Sequence, residues 1–184
     1  MSKLQYDLTI IAGISGVGKT FIINKILNSD NKYIHFSAGE LIKKRKENLS
    51  HDELRLLSSN EILRNQRLLI DQLNIEKSSI CHNKHILFDA HMLIDTDKEL
   101  VEIPLDIFEK LSPSRIVFLH EEPETIMKRR STDLSRKRPI KTLEELQFQQ
   151  DRSRILAMQY SNDLSIDFIS HASIDKITLA EKIK

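Results

Sequence analysis

Among its 184 residues the chain has a single cysteine, four glycines, no tryptophan and only 5% aromatic residues. Cys81 has no second cysteine with which to close an internal disulfide, so a reducing compartment is expected. The expected role of Cys81 is that of a small, non-nucleophilic residue in a loop beside a strand. Nowhere do the roughly 20 apolar residues needed to cross a bilayer run together, which excludes a membrane span. The opening MSKLQYDLTIIAG carries its short apolar run straight into a glycine loop, the pattern of a buried strand rather than an export signal. A cytoplasmic location follows as the expectation. An excess of one charge is missing too: 28 basic against 27 acidic residues leave a net charge of +1, and no global attraction to a polyanion. Without repeats, low-complexity stretches or linkers, residues 1–184 read as one domain.

What is present is an alternation of short apolar runs and longer amphipathic ones. Leu8 to Ala12, Tyr33 to Phe36, His85 to Asp89, Arg115 to Leu119 and Ile166 to Ile169 read as strands. Thr20 to Leu27 reads as a helix, and so does Pro104 to Leu111. A capping box, Ser50-x-x-Glu53, predicts a helix running towards Gln72, and Thr142-x-x-Glu145 predicts another carrying Phe148, Ile155, Leu156 and Tyr160. Pro123 opens a helix behind two glutamates, with Lys128, Arg129 and Arg130 at its far end, an order that suits the helix dipole. Ile174 to Ile183 predicts a closing helix. Strands and helices in alternation imply a parallel sheet covered on both faces, with ligands beyond the carboxyl ends of the strands.

Three of the four glycines fall in one octapeptide, Gly13-Ile14-Ser15-Gly16-Val17-Gly18-Lys19-Thr20, which fits G-x-x-x-x-G-K-[ST] without deviation. The physical content of that pattern is a tight turn whose successive N–H groups point inward at phosphate oxygens, with a helix N-terminus behind them. Gly13, Ser15, Gly16, Val17 and Gly18 supply the cradle. Lys19 is expected to reach the β- and γ-phosphates of ATP or GTP, and the Thr20 hydroxyl to ligate Mg²⁺.

Asp89 ends an apolar strand, a rigid support for a second Mg²⁺-organising carboxylate acting through water, and His91 stands two residues on, able to orient water or a phosphoryl group. The plainer alternatives are a helix cap or surface turn for Asp89 and a solvated loop histidine for His91. Lys128, Arg129, Arg130, Arg136, Lys137, Arg138 and Lys141 concentrate positive charge, offset within the run only by Asp133. Such a segment can clamp a migrating phosphoryl when it closes as a lid. A solvated charged loop and a nucleic-acid patch are the competing readings, the latter disfavoured because no aromatic residues are interleaved to stack on bases.

Taken together these features resemble the archaeal-type adenylate kinases, a branch of the P-loop nucleoside monophosphate kinases. The likeness runs from about Asp7 to Ile169 and rests on four places: GISGVGKT; Phe36 to Leu41 with Asp52 to Leu57; Asp89-Ala90-His91; and Lys128-Arg129-Arg130 with Arg136-Lys137-Arg138, followed by Arg154 and Ala157 to Tyr160. The resemblance implies a three-layer α/β/α fold on a five-stranded parallel sheet of order 2-3-1-4-5. It implies an acceptor-nucleotide segment over 36–73, with Ser37 and Arg55 binding the acceptor, and a lid over 129–142. Arg130, Arg136, Arg138 and Arg154 would surround the transferred phosphoryl beside Lys19, Asp89 and His91, with Mg²⁺ and ATP as cofactor and co-substrate. The chain departs from the family pattern at Ala38-Gly39, at Pro139, and over Thr96 to Pro104, where the family's glycines and tyrosine are missing.

The resulting expectation is transfer of the γ-phosphoryl of Mg·ATP to a nucleoside monophosphate, AMP first. Its partners are then a nucleotide and a small-molecule acceptor, with no membrane; the state of assembly is left open. The alternatives are a P-loop kinase of another small molecule, and an ATPase switch that contacts RNA or protein.

Overall fold

A computed structural model describes residues 7–45, 53, 57–80, 84–96, 98–133 and 138–172. Cys81, Ser50 of the expected first capping box, Arg55, Arg136 and the expected closing helix at 174–183 lie outside the described residues.

Five strands pair in parallel: β1 (Asp7–Ala12), β2 (Tyr33–Ser37), β3 (His85–Asp89), β6 (Arg115–His120) and β7 (Asp167–Ala172). Their spatial order is β2-β3-β1-β6-β7, which among the parallel strands alone is the expected 2-3-1-4-5. A separate antiparallel pair is formed by β4 (Leu93–Asp95) and β5 (Leu100–Glu102), and its turn and second strand fall in the stretch where the chain departs from the family pattern. The Thr96 side chain closes its turn, accepting from the N–H of Lys98 and Glu99 and donating to Glu99 O.

The helices are α1 (Lys19–Ser29), α2 (Ala38–Arg45), α3 (Ser59–Ser78), α4 (Leu105–Leu111), α5 (Pro123–Thr132) and α6 (Leu143–Asp163). Strand periodicity sorts the core into two layers. Leu8, Ile10, Ile86, Phe88, Ile116 and Phe118 face the layer built by α2, α3, α4 and α6. Ile11, Leu87, Val117 and Leu119 face the layer of α1, with Ile22, Ile23 and Ile26. Both faces of the central strands are therefore apolar, the property that makes them read as unbroken hydrophobic runs.

One helical stretch is interrupted where the sequence pattern reads as continuous. The helical stretch predicted from Ser50 towards Gln72 is divided: Glu53 is helical, Leu57 and Ser58 are not, and a second match to the same signature opens a new helix there, with Ser58 as the N-cap, its hydroxyl accepting from Glu61 N–H while the Glu61 carboxylate accepts from Ser58 N–H. Ser58 has extended backbone, so it breaks the helix from whatever precedes it, and α3 then continues past Gln72 to Ser78. The box at Thr142 and Glu145 caps α6 as expected.

Candidate functional site

The carboxyl edge of the sheet gathers the site. β1 ends at Ala12, and the loop turns through Gly13 and Gly18 at φ values of +147° and +105°, a region that side chains rarely occupy. A Cβ on Gly13 would also stand 2.7 Å from the carbonyl oxygen of Leu119, so the loop's first residue has no room for one. Val17 anchors the loop by burying its side chain in the layer under α1. Lys19 is the first residue of α1, which puts the N–H groups of that helix's first turn behind the loop.

The Lys19 ammonium is almost fully buried. It donates to Gly13 O at 2.8 Å, lies 3.7 Å from an Asp89 carboxylate oxygen and approaches His91 Nε2 at 3.5 Å. An ammonium can only donate, so this contact requires the unprotonated imidazole nitrogen to face Lys19. Asp89 is the last residue of β3, and its register partner on β2 is Ser37, so both stand at the same edge. Two residues back along β2, the ring of His35 is held below the usual histidine range by burial, partly opposed by Asp89. Thr20 is exposed to the cleft, where its hydroxyl is open to a ligand.

The basic segment lies against the phosphate loop. Arg130 Nε donates to Ser15 O and Arg138 Nε to Ser15 Oγ, both at 2.9 Å. Arg129, which the sequence reading left out of its site set, donates to Val17 O at 2.8 Å and pairs with Glu121 at 3.0 Å. Acidic partners fix the other arginines: Asp133 pairs with Arg138, and Asp95 of the hairpin stands 3.8 Å from Arg130 and 3.5 Å from Lys141. Arg154 is a correction: it is exposed on α6 and does not line the cleft, because α6 turns Ser153 and Leu156 inward there. Arg129 does line the cleft, and its position in the last turn of α5 was the available signal.

A single cavity of about 530 Å³ joins this edge to a slot between α2, α3 and α4. Ser37, Ile62, Leu69, Phe108 and Leu111 are on its wall. So are Asn65 and Gln66, two buried amides on the stripe of α3 that faces inward. Sequence reasoning missed them. The signal was there: Ile62, Asn65, Gln66 and Leu69 stand at helical i, i+3, i+4, i+7 spacing, with amides where apolar side chains would pack.

A Mg²⁺ ion suits what this edge offers. The described residues contain no group of three or more His, Cys, Asp or Glu side chains able to hold a metal by themselves. Mg²⁺ asks for less, one or two protein oxygens with water and substrate phosphates completing the shell, and Thr20 and Asp89 both border the cavity. Among the described residues no helix is long and apolar enough to cross a membrane.

A family model described as an AAA domain matches residues 12–147. The adenylate kinase of Pyrococcus horikoshii is 33% identical over 84% of this chain and 80% of its own length, and that of Methanococcus aeolicus 26% over 85% and 84%. Two solved structures share the fold: a sugar kinase from Janibacter sp. (TM-score 0.56, 15% identity, 97% and 92% of the two chains) and the shikimate kinase of Bacteroides thetaiotaomicron (TM-score 0.52, 14% identity, 96% of each). Sequence likeness of this extent, carried on a sheet of this strand order, means that the chain belongs to the adenylate kinase family of P-loop nucleoside monophosphate kinases.

Proposed function

We propose that the chain transfers the γ-phosphoryl of Mg·ATP to AMP. The observation that carries this reading is the continuity of the cleft: one cavity runs from the phosphate loop, past Asp89 and His91, into an apolar slot deep enough for a second ligand. An enzyme that brings two anionic substrates into line needs a cationic wall between them, and Lys19, Arg129, Arg130 and Arg138 supply it.

On this reading the loop amides and Lys19 hold the β- and γ-phosphates, and Thr20 with Asp89, the latter through water, holds the Mg²⁺, whose charge offsets that of the triphosphate. Segment 36–73 receives the acceptor, with Ser37 and Arg55 at its phosphate, and segment 129–142 acts as the lid. A phosphate oxygen of AMP attacks the γ-phosphorus, the bond to the bridging oxygen breaks, and two ADP molecules result. Positioning and neutralisation by the arginines do the catalysis, Arg136 included, with no covalent intermediate. His91, facing Lys19, orients the ammonium towards the phosphates.

The test is a screen of nucleoside monophosphates, sugars and other small acceptors with Mg·ATP, scored by the diphosphate formed. ADP production that requires AMP supports the reading. Phosphate release without any acceptor, quickened by RNA, would replace it with an ATPase switch.

A further inference from the structure

Asn65 lies in the middle of α3 with 2% of its surface exposed, among Ile62, Leu69 and Leu73, and it lines the cavity. Its Oδ1 is fully buried and accepts no hydrogen bond among the described residues. A buried acceptor left unsatisfied costs free energy, and asparagine is also a poor residue for a helix interior. A leucine would serve both the helix and the layer better. The side chain earns its place only if something that enters the cavity donates to it.

The walls say what kind of molecule that is. Around Asn65 the slot is formed by Ile42, Ile62, Leu69, Ile107, Phe108 and Leu111. A polyol would lose water from several hydroxyls there and recover few partners. A flat heterocycle buries its faces against such walls and needs polar partners only at its edge. We propose that Asn65 is the specificity-determining residue of the acceptor end: it reads the edge of a planar, amino-bearing base through a hydrogen bond to Oδ1, with Gln66 bordering the same slot. The inference rests on the acceptor reading above and adds to it the residue that reads the acceptor's base.

Calorimetric titration of the full chain with AMP and with purine riboside 5′-monophosphate tests it, since the two differ only by the 6-amino group. The unsubstituted protein is expected to bind AMP at least about tenfold more tightly. In Asn65→Leu the two ligands should bind within about threefold of each other, the signature of a lost pairwise contact, while ATP affinity is retained. Equal affinities in the unsubstituted protein overturn the proposal, and so does a preference that survives in Asn65→Leu. Should that variant fail to fold, Asn65→Ser removes the same amide, and the same two outcomes decide. If AMP is preferred through Asn65 but no ADP forms with Mg·ATP, the kinase reading fails and the assignment of Asn65 stands.

Discussion

The two ends of the cleft are built on opposite plans. At the phosphate loop the recognising groups are main-chain amides and one lysine, contiguous from Gly13 to Thr20, and their geometry follows from glycine dihedrals and a helix start. At the far end the wall comes from side chains of α2, α3 and α4, far apart in the chain and brought together only by packing. A loop of backbone suits any triphosphate, whereas a wall of side chains can be altered one residue at a time. The difference teaches where specificity can change within a family without loss of the chemistry.

The sharpest way to break the contrast is at Lys19. Lys19→Ala is expected to lower phosphoryl transfer by about a thousandfold or more in a coupled assay, because a preorganised charge at the migrating group is lost. A melt should show the fold kept. Near-normal activity would remove the phosphate loop from the chemistry.

At the other end the largest effect should be on stability. Phe108 is 1% exposed and packs against Tyr160 with ring centroids 5.3 Å apart, so Phe108→Ala should cost roughly 3–5 kcal/mol in denaturant unfolding. AMP binding should weaken as well, with ATP binding retained in the fraction that stays folded. Equal weakening of both ligands would mean that the two ends are not separable.

Arg138 lies between them, bonded to Ser15 and paired with Asp133. Arg138→Ala should reduce kcat by about a hundredfold at saturating substrates, with a smaller change in ATP affinity. A change confined to ATP affinity would make it a loop clamp rather than a lid arginine.

The smallest effect expected is that of pH on stability. Burial holds the rings of His35 and His85 below the ordinary value of 6.5, although Asp89 and Asp7 respectively oppose it. Each ring then binds more protons unfolded than folded, so its contribution is intact above about 6.5 and is lost as pH falls through the folded value. Unfolding curves between pH 7 and 5 should move to lower denaturant. His35→Gln should flatten part of that slope, and an unchanged slope in the variant would show that His35 does not carry it.

The strand runs and the loop were readable because each is a local property: period-2 burial or a contiguous motif. The division of the stretch between Ser50 and Gln72 is less legible, because two stretches fit the same capping signature and only the extended backbone at Ser58 shows that the second opens a helix of its own. Arg154 was placed at the site by its order in the chain, yet α6 points it outward, whereas Arg129, one residue before an expected site arginine, bonds the loop. Asn65 and Gln66 carried a visible anomaly, two amides within an apolar stripe, but its meaning depended on whether that stripe faced a neighbour or a cavity.

The order of residues along the chain thus settled the phosphate loop, the alternation of elements and the class of fold, since backbone conformation and hydrophobic period act over a few residues. Packing settled which arginines reach the loop, how the hairpin's Asp95 meets Arg130 and Lys141, and that Asn65, with its buried Oδ1 unsatisfied, is on the wall of the cavity. Those facts rest on contacts between segments tens of residues apart, and the direction of a side chain there depends on how whole helices are seated against the sheet.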